Sequence, residues 1–283
     1  MRVPGAAVTS IRVRSAGRHA LAARRGRAPA RVIAAFERSL YIETEAGLAC
    51  LGTASLGNGP LNALCDTLPR AAAGDLVAVD LASAVLWRPA PLLPWNPATV
   101  TASLGRLRRA ALRTAPAEGF AFLLAPGIAG HPVLAAHAPA TETLAAWVRA
   151  YAQAPAPIPD VPPDINALVG LGPGLTPSGD DLLGGALAAL RAAGRDACAE
   201  ALAAHVMPLA RGGTSRISLA HLACAAQGEC GEAVHDMMGA LLAGTVDLEA
   251  PLARVAAVGH TSGWDALAGI SLAFKALSGP DES

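Results

Sequence analysis

The chain has 283 residues, enough for two domains at the usual size of about 150 residues each. Its 22 basic and 22 acidic side chains cancel, 53% of its residues are hydrophobic and only 16% are charged. That composition excludes a wholly disordered chain, which lacks apolar surface to bury, and it speaks against a dedicated nucleic-acid binder, which carries a basic face.

Five cysteines (Cys50, Cys65, Cys198, Cys224 and Cys230), odd in number and without a Cys-x-x-Cys pair, argue against a disulfide framework and for a reducing, cytoplasmic setting. The longest uncharged stretch, Gly119–Thr141, is interrupted by Pro126, Pro132 and Pro139, so no membrane span is expected. Aromatic residues make up only 4% of the chain, which leaves the core to Ala, Leu and Val packed at short range.

Charge is uneven. Residues 1–150 carry 16 Arg against 8 acids, whereas residues 151–283 carry 5 Arg and one Lys against 14 acids. The first 31 residues hold eight Arg and no acid. This composition suits a transit segment or a disordered basic tail, and residues 1–30 are expected to be such a tail.

From residue 31 the pattern is β-rich. An apolar run over Arg31–Arg38 leads to Leu40–Thr44, a turn at Glu45-Ala46-Gly47 and a returning strand at Leu48–Thr53. Gly57-Asn58-Gly59-Pro60 marks a loop, with Asn58 as its turn residue, and Leu76–Leu81 and Ala84–Trp87 add strands. The reading is a meander or small barrel over residues 31–97. Four prolines in Pro89–Pro97 form a linker and the expected boundary.

Beyond it the periodicity turns helical. Helices are predicted over Thr101–Arg113 and, with Thr141 as N-cap, over Thr141–Ala152; Phe120–Leu124 fits strand or helix. A second Pro-rich link, Ala154–Pro163, is followed by helices near Pro177–Ala193, Asp196–Leu209, Ser215–Gln227, Gly231–Ala243, Leu248–Val258 and Ser262–Leu277. Gly194, Gly228 and Gly244 stand where C-terminal caps fall. The fold class is therefore α+β, a β-rich N-terminal part followed by a mainly helical domain over residues 98–283.

The densest motif is Gly170–Gly185, with six glycines in 16 residues. Thr176-Pro177 suits an N-cap with Pro at the first helical position, and Ser178-x-x-Asp181 fits a capping box. A Gly-rich loop entering a helix aims unpaired N–H groups at a phosphate or carboxylate. No Gly-Lys-Ser/Thr follows, so it is not a P-loop. Asp180 and Asp181 would repel a bare anion. They could cap the helix, accept from an amide or carbamoyl N–H, or hold Mg²⁺ that in turn holds the anion. The plainer reading is a tight helix start packed by glycines.

The motif has an echo. Ser178-Gly179-x-Asp181-x-Leu183-x-Gly185 matches Ser262-Gly263-x-Asp265-x-Leu267-x-Gly269 at every specified position, with Thr176 and Thr261 just upstream. Two similar helix starts, related by pseudo-symmetry, would make a better anion pocket than one. A third segment, Arg211–Ser218, sets Gly and hydroxyl residues before a helix beside Arg216, whose guanidinium suits phosphate or carboxylate. Its Thr214-Ser215-Arg216-x-Ser218 is similar to the phosphate loop of carbamoyltransferases. His221, Cys224, Cys230 and His235 lack the spacing of a zinc site.

Gly170–Gly185, its echo at Gly259–Gly269 and the Thr214–Ser218 segment together resemble the AllH-like family, and Val32–Leu64 resembles that family's N-terminal part. The resemblance implies a subunit of an oxamate carbamoyltransferase-type complex, with other subunits as partners, acting in phosphorolysis of oxalurate to oxamate and carbamoyl phosphate during allantoin breakdown. A non-catalytic scaffold subunit, or a stand-alone small-anion-binding protein, is the alternative.

Candidate catalytic groups are Asp180, Asp181 and Asp265, which would fix a carbamoyl or amide N–H or a metal. Candidate anion-binding residues are Gly172, Gly174, Thr176, Ser178, Gly179, Thr214, Arg216, Thr261 and Ser262.

Overall fold

A computed structural model of the chain describes residues 10–23, 29–44, 47–153 and 157–279. Its contacts divide the chain into two compact units, residues 1–89 and 90–283. The division falls at the first proline of the Pro89–Pro97 segment, so the rest of that segment belongs to the second unit. The turn expected at Glu45-Ala46 and the link at residues 154–156 lie outside the described residues.

In the first unit the strands are β1 (Ser10–Ala16), β2 (Ala30–Ala35), β3 (Ser39–Thr44), β4 (Gly47–Gly52), β5 (Asn62–Cys65), β6 (Leu76–Asp80) and β7 (Val85–Leu86), with a short helix α1 (Arg18–Ala22) after β1. The order β5-β4-β3-β2-β6-β1 closes on itself because β1 also pairs with β5, giving a six-stranded barrel with β7 as an appendage on β1. β1 manages this by serving two neighbours. Ser10–Arg12 runs parallel to β6, and Val13–Ala16 runs antiparallel to β5 with a register shift between Val13 and Ser15.

The inward residues Ile11, Val13, Val32, Leu40, Ile42, Leu51, Val77 and Val79 form this unit's own core. Gly17 is required where the 57–60 loop crosses. A Cβ there would stand 2.0 Å from the Gly59 carbonyl oxygen. Asn58 does more than turn the chain, since its side-chain oxygen accepts from the Ser15 hydroxyl at 2.7 Å.

Two expectations fail here. Residues 10–22 are strand and helix, so the disordered-tail reading of residues 1–30 does not hold over them; β1 alternates buried apolar with exposed polar residues, and its arginines lie on the outer side. The expected strands also omit β5, which follows the Gly57–Pro60 loop.

The second unit is helical: α2 (Pro97–Thr114), α3 (Pro132–Ala135), α4 (Ala138–Gln153), α5 (Ser178–Ala192), α6 (Asp196–Gly213), α7 (Arg216–Ala225), α8 (Glu232–Leu242), α9 (Glu249–Ala256) and α10 (Ser262–Ser278). The ambiguous segment Phe120–Leu124 contains a short 3-10 turn, Ala121–Leu123. Thr141 sits inside α4 rather than capping it, its hydroxyl donating to the Ala138 carbonyl at 2.8 Å. Asn96 caps α2 by accepting from Thr99 N–H, followed by Pro97 at the first helical position. Gly194, Gly228 and Gly244 adopt positive φ at their helix ends, as a left-handed C-cap demands. Among the described residues no helix is long and apolar enough to cross a membrane.

The core of this unit is organised around α5 and α10, apolar on nearly every side and correspondingly buried. They run in the same direction and touch through glycine. A Cβ on Gly185 would lie 2.0 Å from the Ala266 carbonyl oxygen, and one on Gly269 would lie 1.9 Å from that of Leu182. The two contacts are equivalent under the sequence echo. Each repeat's third helical turn, at its glycine, rests on the second turn of the other. This pseudo-two-fold pairing brings the two N-termini together at one end.

Candidate functional site

The loop before α5 is fixed by glycine and by its own carbonyls. Gly170, Gly172 and Gly174 take positive φ. Gly179 packs its bare Cα on the Leu168 carbonyl, where a Cβ would lie 2.0 Å away, and its N–H donates to Leu171 O at 2.8 Å. The echo builds the same corner. Gly263 packs on the Val255 carbonyl, and its N–H donates to Val258 O at 3.1 Å.

The expected caps do not form. Pro177 occupies the N-cap position without a side-chain bond, and its carbonyl accepts from Asp180 and Asp181. The hydroxyls of Thr176 and Ser178 are thereby released for other partners. Thr176 and Ser262 hydroxyls bond each other at 3.0 Å, so the two helix starts meet in space.

The three aspartates divide into different roles. Asp180 is almost fully buried and is a clamp. Its Oδ1 accepts from Gly170 N–H at 2.8 Å, while its Oδ2 accepts from the hydroxyls of Thr214 and, at 2.6 Å, Ser218. It thus ties the start of the glycine loop to the start of α7. Ser215 completes the tie: its hydroxyl donates to the Leu175 carbonyl and accepts from Ser218 N–H. Arg216 stands next in line as the first, exposed residue of α7. Asp180→Ala would leave three donors without their acceptor and is expected to cost about 2–5 kcal/mol in urea unfolding. A loss below half a kcal/mol would contradict the clamp.

Asp181 and Asp265 occupy equivalent positions on α5 and α10, and each faces the serine of the other repeat. Ser262 lies against the Asp181 carboxyl and Ser178 against that of Asp265. Asp265 is wholly buried, with Oδ1 accepting from Phe120 N–H at 2.5 Å and Thr261 as a further hydrogen-bonding neighbour. Gly119 must be glycine for this approach, since a Cβ there would meet Asp265 Oδ1 at 2.3 Å and its φ is +62°.

Burial pushes both carboxyls up, Asp181 well above the usual range. For Asp181 only Ser262 opposes that push, while the negative charges of Asp265 and Asp180 add to it. Asp265 has more hydrogen-bond partners for its ionised form. Of the two, Asp181 is pushed the further. The Oδ2 atoms of both residues are buried without a protein partner.

The structure therefore gathers Gly172, Gly174, Thr176, Ser178, Gly179, Asp181, Thr261, Ser262 and Asp265 around the paired helix starts, with Thr214 and Asp180 behind the loop. The N–H groups of Gly172, Gly174, Leu175 and Thr176 have no hydrogen-bond partner among the described residues. Together these offer donors for an anion beside a buried carboxyl that desolvation pushes up. Among the described residues no group of three or more His, Cys, Asp and Glu side chains is placed to hold a metal ion.

Sequence reasoning named Ser215 and Ser218 only as part of the Thr214–Ser218 segment and missed Phe120. Phe120 contributes its backbone and Ser215 a bond to a carbonyl, which no motif announces. No curated protein and no solved structure matches the chain. Residues 168–274, which contain both Ser-Gly-x-Asp helix starts and the α7 start between them, match the family model described as oxamate carbamoyltransferase subunit AllH.

Proposed function

We propose that this chain is a subunit of an oxamate carbamoyltransferase-type complex that interconverts oxalurate and carbamoyl phosphate in allantoin-type purine catabolism, with its ligand end at the joined N-termini of α5 and α10. The observation that carries the reading is that the family match spans both helix starts, whose hydroxyls bond each other.

In this reading the free N–H groups of Gly172, Gly174, Leu175 and Thr176 and the hydroxyls of Thr176 and Ser262 hold the phosphate or the oxalurate carboxylate, where the two helix dipoles add. Arg216 with Thr214 supplies the positive edge. Hydrogen phosphate attacks the carbamoyl carbon through one oxygen. The bond from that carbon to the oxamate nitrogen breaks, and its electron pair goes to the nitrogen. Asp181 gives its proton to that nitrogen, and the proton of the attacking phosphate returns to Asp181, leaving the acid as it began. Asp265 positions this acid and, by its charge, keeps it protonated. Asp180 holds the loop in shape.

The test is purification of the native assembly, identification of its subunits by mass spectrometry, and assay for phosphate-dependent carbamoyl phosphate formation from oxalurate. Stable partners with this activity are expected. A partnerless, inactive chain, or an active complex unaffected by Thr176→Val, would contradict the reading.

A further inference from the structure

A second cluster of donors lies away from the helix starts, between α2 and the segment leading into α9. Arg106, Arg109 and Arg113 follow one another at spacings of three and four along α2, and so share one face. With Val246, Asp247, Leu248 and Glu249 they line a groove of about 240 Å³.

The guanidinium groups are under-used. Arg106 bonds only neutral groups through Nη2, the Ser103 hydroxyl at 3.0 Å and the Gly244 carbonyl at 3.1 Å, and its Nε is buried without a partner. The side chain of Arg109 has no hydrogen-bond partner among the described residues and lies back over the bare surface of Gly105. Arg113 pairs with Glu249 at 2.9 Å, but both side chains are more than half exposed, and such a pair yields readily to a competing anion. Asp247 is already engaged, accepting from Glu249 N–H at 2.9 Å.

Three forked cations facing one groove, one with a buried donor still unmet, match the geometry of a compact dianion bound by paired N–H groups. We infer that this groove is a second small-molecule site, which takes a phosphate-bearing or dicarboxylate ligand through Arg106, Arg109 and Arg113. It is separate from the paired helix starts and does not depend on the function proposed for them.

The experiment is a thermal-shift and calorimetric titration of the full chain with inorganic phosphate and with malonate, at constant ionic strength set by chloride. At least one of the two is expected to bind saturably in the millimolar range. Arg109→Ala and Arg113→Ala, both on exposed residues, should each weaken that binding about tenfold while leaving the unliganded melting temperature nearly unchanged. Thr176→Val, at the other site, should leave it in place. Phosphate in preference to malonate would name a phosphate ester, and the reverse a dicarboxylate. Absence of saturable binding, or binding indifferent to both arginine variants, would overturn the inference.

Discussion

Asp181→Asn is expected to make the isolated protein more stable at pH 8 and the complex far slower. The sign follows from burial. The Asp181 carboxyl is held well above its ordinary range by desolvation first, then by the charges of Asp265 and Asp180. A carboxyl raised in the folded state binds its proton more tightly there than in the unfolded chain. Its contribution is therefore full below the unfolded value, near 4, and is lost as pH climbs through the folded value. Asparagine has the shape of the neutral acid and nothing to ionise.

The variant should gain about 0.5–2 kcal/mol at pH 8, the size of other substitutions that relieve a strained functional position. Its melting temperature should also fall less between pH 5 and 8 than that of the natural chain. The same change removes a transferable proton, and loss of a general acid costs on the order of 100-fold or more in rate. Melting curves across pH and a rate assay on the complex check the two halves separately. A variant that is less stable at pH 8, or as active as the natural protein, would sink the assignment.

Neighbouring glycines should behave in opposite ways. Gly185→Ala would drive a Cβ to 2.0 Å from the Ala266 carbonyl, and Gly269→Ala to 1.9 Å from that of Leu182, both backbone atoms that cannot swing aside. Each is expected to cost about 3 kcal/mol or more, as α5 and α10 are forced apart. Gly184→Ala, one residue away, would place its Cβ 3.6 Å from Ala225 Cβ, an ordinary contact. There the helix gains about 0.5–1 kcal/mol from replacing glycine by alanine. Denaturant unfolding of the three variants measures the contrast. Equal effects at positions 184 and 185 would mean that the helix crossing is not where the structure places it.

The same glycines explain what the sequence could reveal. The echo between Gly179–Gly185 and Gly263–Gly269 is a pattern of small residues at fixed spacing, and the structure gives it a physical cause. Each pair serves one corner and one crossing, so both must lack a side chain. The likeness of the two helix starts was legible for that reason; that they meet is shown by the Thr176–Ser262 hydroxyl bond.

What Asp180 does was not legible. Its neighbour in sequence, Asp181, points toward α10, while Asp180 points toward Gly170 and α7, and only the three-dimensional path of the loop separates them. Ser178 looked like half of a capping box because its spacing to Asp181 is right, yet it faces Asp265 across the dyad. The N-terminal strand was hidden by composition. In Ser10–Ala16 the arginines alternate with Ile11 and Val13, a β pattern, but the richness of the surrounding segment in Arg drew the reading to a tail. Strand β5 is four residues long and follows a Gly-Pro loop, too short for a period to be read.

In the proposed function the paired helix starts act as one ligand site. The most direct measurement is hydrogen–deuterium exchange on the isolated complex, with and without oxalurate and phosphate together. Slower exchange on ligand addition is predicted at the backbone N–H groups of Gly172, Gly174, Leu175, Thr176 and Ser178 and, in the same titration, of residues 261–264. Protection confined to other parts of the complex, with both helix starts unchanged, would contradict it.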